Sequence, residues 1–236
     1  MNLEGKNPIR EIIESDKNID KIYVQDKIAD KEIREFVQIA KAKHTKIEWV
    51  DKKVLDKISV TGHHQGIIAI CSDFQYTDFD EILKKQGDVL LVLLDGLEDP
   101  HNLGSVIRVA ECAKVDAVII PSRHGALVNE TVIRVSAGAS AHVPVVKVGN
   151  LNSAIEKLKE NNVWIYGADM DGTSMYQTNL KGRTALVIGA EGAGLSHHTR
   201  ELCDQIVSIP MFGKVNSLNA SVSAGILIYE ALRQRG

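Results

Sequence analysis

Apolar runs recur between residues 89 and 209: Val89–Leu94, Ala117–Ile120, Val143–Val148, Val163–Ala168, Thr184–Ile188 and Gln205–Ile209. Most have no polar alternation, so they offer no face to water. Such runs belong to parallel strands covered on both sides. Between them the sequence reads as helix around 103–114, 128–137, 151–161 and 197–203, with a final helix over roughly 219–235. This alternation predicts an open α/β sheet, in which ligands bind at the carboxyl ends of the strands.

The first stretch reads as a smaller α/β unit. A helix starts at Asn7-Pro8 and runs through IREIIES, Ile19–Val24 is strand-like, Ala29–Lys43 has one apolar helical face, and Lys46–Val50 and Gly66–Cys71 are short strands. Residues 73–88 are polar and acidic, then weakly helical. The expected organisation is therefore a domain over 1–75, a linker over 76–88 and a second domain over 89–236.

Composition excludes several classes. In 236 residues the hydrophobic share is 44 % and the charged share 25 %, ordinary for a globular chain and wrong for a disordered or fibrous one. The formal charge of −3 does not mark a generic nucleic-acid binder, although it leaves room for a local basic groove. Lys41, Lys43, His44 and Lys46 form one basic stretch, and Lys52, Lys53 and Lys57 another; solvated helix faces would carry the same charges. The longest apolar run falls far short of the ~20 residues of a membrane helix. Met1–Arg10 has no apolar core, so no secretory signal is expected. Three scattered cysteines without a CxxC point to neither disulfides nor a zinc ribbon, and suggest a reducing cytoplasm. The pairs His63-His64 and His197-His198 diverge in direction, and no metal site is expected.

Three segments place Gly, Asn, Ser or Glu directly after an apolar strand. In LDGLEDPHNLGSVIR (94–108), Asn102 sits where a helix N-cap belongs and Arg108 lies on the second turn. A capping asparagine and a surface arginine would read the same way. LVIGAEGAGLS (186–196) has Gly-x-x-Gly-x-Gly spacing, not a dinucleotide fingerprint, and holds Glu191 where a plain turn needs no carboxylate. In IPMFGKVNSLNASVSAGILIYEALRQR (209–235), Ser217, Asn219 and Ser221 crowd the start of the last helix, and capping accounts for one of them. That helix carries two apolar stripes, Ala220/Ala224/Leu227/Ala231 and Val222/Ile226/Tyr229. It is expected to pack on the sheet with one and on a partner with the other.

Together, DPHNLGSVIR, IGAEGAGLS and IPMFGKVNSLNASVSAG resemble the three motifs of the SpoU/TrmH family of RNA 2′-O-ribose methyltransferases over roughly 89–236. EGKNPIREII, IDKIYV and HHQGIIAI resemble the substrate-binding domain of its ribosomal-RNA guanosine branch. The resemblance implies a SPOUT-type α/β domain with a trefoil knot, working as a homodimer on S-adenosylmethionine. It also implies a guanosine of 23S ribosomal RNA as target, with no metal and no membrane. By the same resemblance Gly189, Ile209 and Leu218 lie against the cofactor, and Asn102, Arg108, Glu191, Ser217 and Asn219 fall at the active site; on chemical grounds Glu191 is expected to orient Arg108. Transfer RNA methylation, or a non-catalytic RNA-binding or ribosome-assembly role, are the alternatives. The missing dinucleotide fingerprint disfavours an oxidoreductase.

Overall fold

Short amphipathic segments build the first unit. The computed structural model describes residues 2–14, 19–42, 45–71, 74–214 and 217–236. From the N-terminus run β1 (Asn2–Glu4), α1 (Lys6–Glu14), β2 (Ile19–Gln25), α2 (Lys31–Ala42), β3 (Lys46–Val50), α3 (Lys52–Ile58) and β4 (Ile67–Cys71). The strands form a sheet of order β1-β4-β2-β3, antiparallel except for β2 with β3. α1 buries Pro8, Ile9, Ile12 and Ile13, and α2 buries Ile33, Phe36, Val37 and Ala40, each one face of a helix. β1 and α3 escape a reading of periodicity: β1 spans three residues and α3 buries Leu55 alone. Ser15, Lys43, His44 and Asp73 lie outside the described residues.

The second unit holds Tyr76–Leu127 and Val143–Gly236. It opens with α4 (Phe79–Leu83), then β5 (Val89–Asp95), α5 (Pro100–Cys112) and β6 (Ala117–Pro121). α5 starts before residue 103. Asp99 is its N-cap, accepting from His101 N at 2.9 Å, with Pro100 in the first position. Asp-Pro suits that place because Pro lacks the donor the first turn would leave unpaired. Asn102 is therefore not the cap; it sits inside the first turn, 6 % exposed.

The next piece, Val128–His142, folds with the first unit. Its helix α6 (Glu130–Val135) is capped by Asn129, and Glu130 accepts a hydrogen bond from Asn2 N. His142 pairs with Glu11 at 2.6 Å. Then follow β7 (Val145–Val148), α7 (Leu151–Glu160), β8 (Trp164–Ser174), β9 (Arg183–Gly189), α8 (His197–Leu202), β10 (Gln205–Ser208) and α9 (Ala220–Arg235).

Among the described residues of the second unit, six strands form a wholly parallel sheet of order β10-β8-β9-β5-β6-β7. Leu91, Leu93, Ile119, Val146, Ile165 and Val187 face one layer, where α7 contributes Leu151, Ile155 and Leu158. The alternate residues Leu90, Val92 and Leu94 point to the other layer. There α5 packs on α9 and α9 on β9. Strand order reverses between β5 and β9. Leu93→Ala is expected to cost about 2–5 kcal/mol. Urea unfolding should show a lower midpoint with an unchanged slope.

Candidate active site

A crevice lies at the carboxyl ends of β8, β9 and β10. It is open to solvent on one side and encloses about 160 Å³. Ile188, Val207, Ile209, Met211 and Leu218 supply an apolar wall; Asp169, Glu191, Ser217 and Ser223 supply polar groups. Gly189, Ile209, Leu218, Ser217 and Glu191 thus all line one cleft.

Gly189 does more than line it. After β9 the chain folds back, with Ala190 and Gly194 exchanging backbone hydrogen bonds of 3.1 and 2.9 Å. A Cβ on Gly189 would lie 2.2 Å from the Gly194 carbonyl carbon. No L side chain fits there, so the loop that carries Glu191 depends on this glycine. Its far end is tied down by Asp95, whose carboxylate accepts from Ser196 N at 2.8 Å.

Glu191 joins three segments. Its Oε1 accepts from Asn102 Nδ2 at 3.1 Å, from Asn219 Nδ2, and from Ala220 N at 3.4 Å. Asn219 Nδ2 also donates to Asn102 Oδ1 at 2.9 Å. Meanwhile Asn219 Oδ1 caps α9, accepting from Ser221 N at 2.9 Å, Ser221 Oγ at 2.6 Å and Val222 N at 3.3 Å. Asn219 is the residue in its crowd that helix initiation requires. Glu191 Oε2 has no hydrogen-bond partner among the described residues, so one acceptor oxygen stays open beside the cleft.

Arg108 stands apart. It lies six residues beyond Asn102 on α5, about 9 Å along the axis and about 120° around it. It is exposed and has no hydrogen-bond or ion-pair partner among the described residues. The expectation that Glu191 orients Arg108 therefore fails: two asparagines and a backbone N–H occupy that carboxylate.

Asp169 and Arg200 were not expected. Arg200, on α8, donates to Asp169 Oδ2 at 2.6 Å and to both Asp171 oxygens at 2.9 Å. Asp171 foremost, with Asp169, holds the guanidinium above its ordinary pKa. The available signal was a pair of carboxylates immediately after a buried strand, in YGADMDG. Burial, then the Asp204 charge, pushes the Cys203 thiol up to about 11, so it stays protonated and no thiolate nucleophile stands there.

The histidine pairs serve local roles. His64 Nδ1 accepts from Gly66 N at 2.9 Å, and Nε2 contacts Asp56 at 2.9 Å. His197 and His198 approach Glu201 at 3.5 and 3.6 Å. Among the described residues no group of three His, Cys, Asp or Glu could hold a metal, and no helix is long and apolar enough to cross a membrane.

The sequence model of the SpoU rRNA Methylase family matches residues 89–229, and that of the RNA 2′-O ribose methyltransferase substrate-binding domain matches residues 3–77. The chain belongs to the SpoU family of RNA methyltransferases. A protein of Staphylococcus haemolyticus described as a TrmH family tRNA/rRNA methyltransferase is 41 % identical, over 98 % of this chain and 94 % of that protein. The crystal structure of the SpoU methyltransferase AviRb from Streptomyces viridochromogenes, in complex with AdoMet, superposes with a TM-score of 0.86 at 27 % identity, covering 99 % of this chain and 90 % of that one. The A. aeolicus TrmH/SpoU tRNA modifying enzyme superposes at 0.57 with 29 % identity, over 66 % of this chain and 80 % of that one. The protein is thus a methyltransferase that uses S-adenosylmethionine (AdoMet), and a cleft with an apolar wall beside polar groups is one that such a ligand would fit.

Gly189→Ala places a methyl group against backbone and is expected to destabilise the second unit by about 1–3 kcal/mol. Calorimetric titration should show AdoMet binding lost with it.

Proposed function

We propose that this protein methylates a ribose 2′-hydroxyl of RNA, with a guanosine of 23S ribosomal RNA as its target. The observation that carries the reading is Glu191: it belongs to the wall of the cleft and also to the cluster with Asn102 and Asn219. Groups that hold a methyl donor and groups that hold a hydroxyl therefore meet at one carboxylate.

AdoMet, when bound, supplies an electrophilic sulfonium methyl group. Gly189, Ile209 and Leu218, which line the cleft, would hold it. Asn102 and Asn219 fix Glu191 Oε1, which leaves Oε2 to orient the hydroxyl; Ser217 adds a second polar contact. Arg108 stays protonated, so its role is electrostatic: its uncommitted donors clamp an RNA phosphate and stabilise negative charge as the hydroxyl loses its proton. Holding oxygen and methyl in line supplies much of the rate.

Ribosomal RNA is favoured by the substrate-binding unit, since methyl chemistry on ribose reads no base. That unit exposes Lys41, Lys52, Lys53 and Lys57. The tRNA-modifying relative, by contrast, matches only part of the chain. The proposal includes the trefoil knot, a substrate-binding domain over 1–75 completed by 128–142, a joining segment over 76–88 with a catalytic domain in the rest of 89–236, and a cytoplasmic setting. Support for the knot comes from β10 lying beyond β8 while α9 returns to pack on β9 and α5.

It also includes a homodimer. Ala220, Ala224, Leu227 and Ala231 of α9 are buried within the chain, as one stripe was expected to be. On the other, Val222 is 48 % and Tyr229 50 % exposed, an apolar face that a second copy would cover.

Labelled methyl transfer to separated RNA fractions tests the target; label in 23S RNA is expected, and label confined to tRNA would overturn it. In the same assay Arg108→Ala should lower turnover about 10²–10³-fold, with AdoMet affinity at the wild-type level by equilibrium dialysis. Tyr229→Glu would bury an unpaired charge in the dimer at a cost of several kcal/mol. Sedimentation should then find monomer, with AdoMet affinity reduced because α9 begins at the cleft.

A further inference from the structure

We propose that Asp169 reads the ribose of the cofactor, accepting hydrogen bonds from its vicinal hydroxyls, and that Arg200 is the positioning residue that holds Asp169 to this task. The inference rests on AdoMet occupying the cleft described above.

The chain goes to some length to bring Asp169 there. Where β8 pairs with β10, Ile206 stands opposite Gly167, but the next residue, Val207, stands opposite Thr173. Residues 168–172 therefore leave the ladder as a bulge, and Ala168, Asp169 and Met170 line the cleft. The bulge can close only at a glycine. A Cβ on Gly172 would lie 2.6 Å from the carbonyl carbon and oxygen of Ile206. Ser208 Oγ donates to Gly172 O at 2.9 Å and fixes the point of re-entry.

Arg200 then pins the bulge through both its carboxylates. Of the four lone-pair sites on the Asp169 carboxylate, Oδ1 spends one on Met170 N at 2.7 Å and Oδ2 one on Arg200 Nη1. One acceptor site remains on each oxygen, enough for one hydrogen bond from each of two vicinal hydroxyls.

The Asp169 carboxylate already shares its charge with the Arg200 guanidinium, which weakens its pull on the cofactor's cationic end. A cation on this carboxylate would stand about 5 Å from the guanidinium, at the sum of two hydrogen-bond lengths or slightly less. Neutral donors meet no charge repulsion there.

Calorimetric titration of the full chain tests this with three ligands: AdoMet, S-adenosylhomocysteine and the 2′-deoxyribosyl analogue of S-adenosylhomocysteine. The wild type should prefer the ribosyl compound to the deoxyribosyl one by about tenfold, as for a hydrogen bond to a charged group. Asp169→Ala should bind AdoMet and S-adenosylhomocysteine equally, each about tenfold or more weaker than wild type, and lose the preference. Arg200→Ala should move both readouts the same way by less, and Arg200→Lys should recover part of the loss. Wild-type indifference to the 2′-hydroxyl would overturn the proposal without any variant. So would undiminished binding by a folded Asp169→Ala, or a loss of AdoMet far larger than of S-adenosylhomocysteine, which would put the carboxylate at the sulfonium. A wild type that bound none of the three would instead overturn the placing of the cofactor in this cleft.

Discussion

Glu191 Oε1 is where three distant stretches of chain are held together. Asn102 comes from the first turn of α5, Glu191 from the loop after β9, and Asn219 from the cap of α9. None of these segments is fixed relative to the others by strand pairing. The parallel ladder sets the heights at which β5 and β9 end, and the polar cluster converts that alignment into a shared site. The carboxylate gains three donors and the amides gain partners, so the polar groups drawn together are largely satisfied. Losing one member would leave the others short of partners, which makes the cluster behave as a unit.

Two glycines shape the chain around the cleft, Gly189 in its lining and Gly172 where the β8 bulge re-enters the ladder. At Gly189 and at Gly172 backbone passes backbone so closely that a β-carbon would overlap main-chain atoms. These are demands of space at the ends of neighbouring parallel strands. They explain why the walls of the cofactor cleft come from main chain that doubles back beside its own sheet, where long side chains would fill the volume the ligand needs.

Much of the second unit was legible because burial on both faces leaves long apolar runs. The cores of β5, β6 and β9 and the inner stripe of α9 stand where the runs and the spacing put them. Caps were harder to read. Asn102 has the right chemistry for a cap, but Asp99-Pro100 starts the helix earlier, and Asn102 is left for the cluster. Ser217, Asn219 and Ser221 could not be ranked from sequence, because only the approach of Glu191 separates the residue that caps and links from its neighbours. The bulge of β8 left no periodic trace: a strand that departs from its ladder and returns looks, in one dimension, like a strand that ends. Asp169 was hidden with it.

The segment 128–142 lies in sequence between β6 and β7 of the second unit but folds with the first. The main chain therefore passes between the units three times, near residues 75, 127 and 142. The first unit cannot be completed from its own N-terminal sequence, because α6 and the partners of Asn2 and Glu11 are made later. As the chain leaves the ribosome, the N-terminal sheet must wait, with part of its surface uncovered, until β5, α5 and β6 have been synthesised. Maturation of the two units is thus interleaved in time, and neither can be transplanted by a single cut.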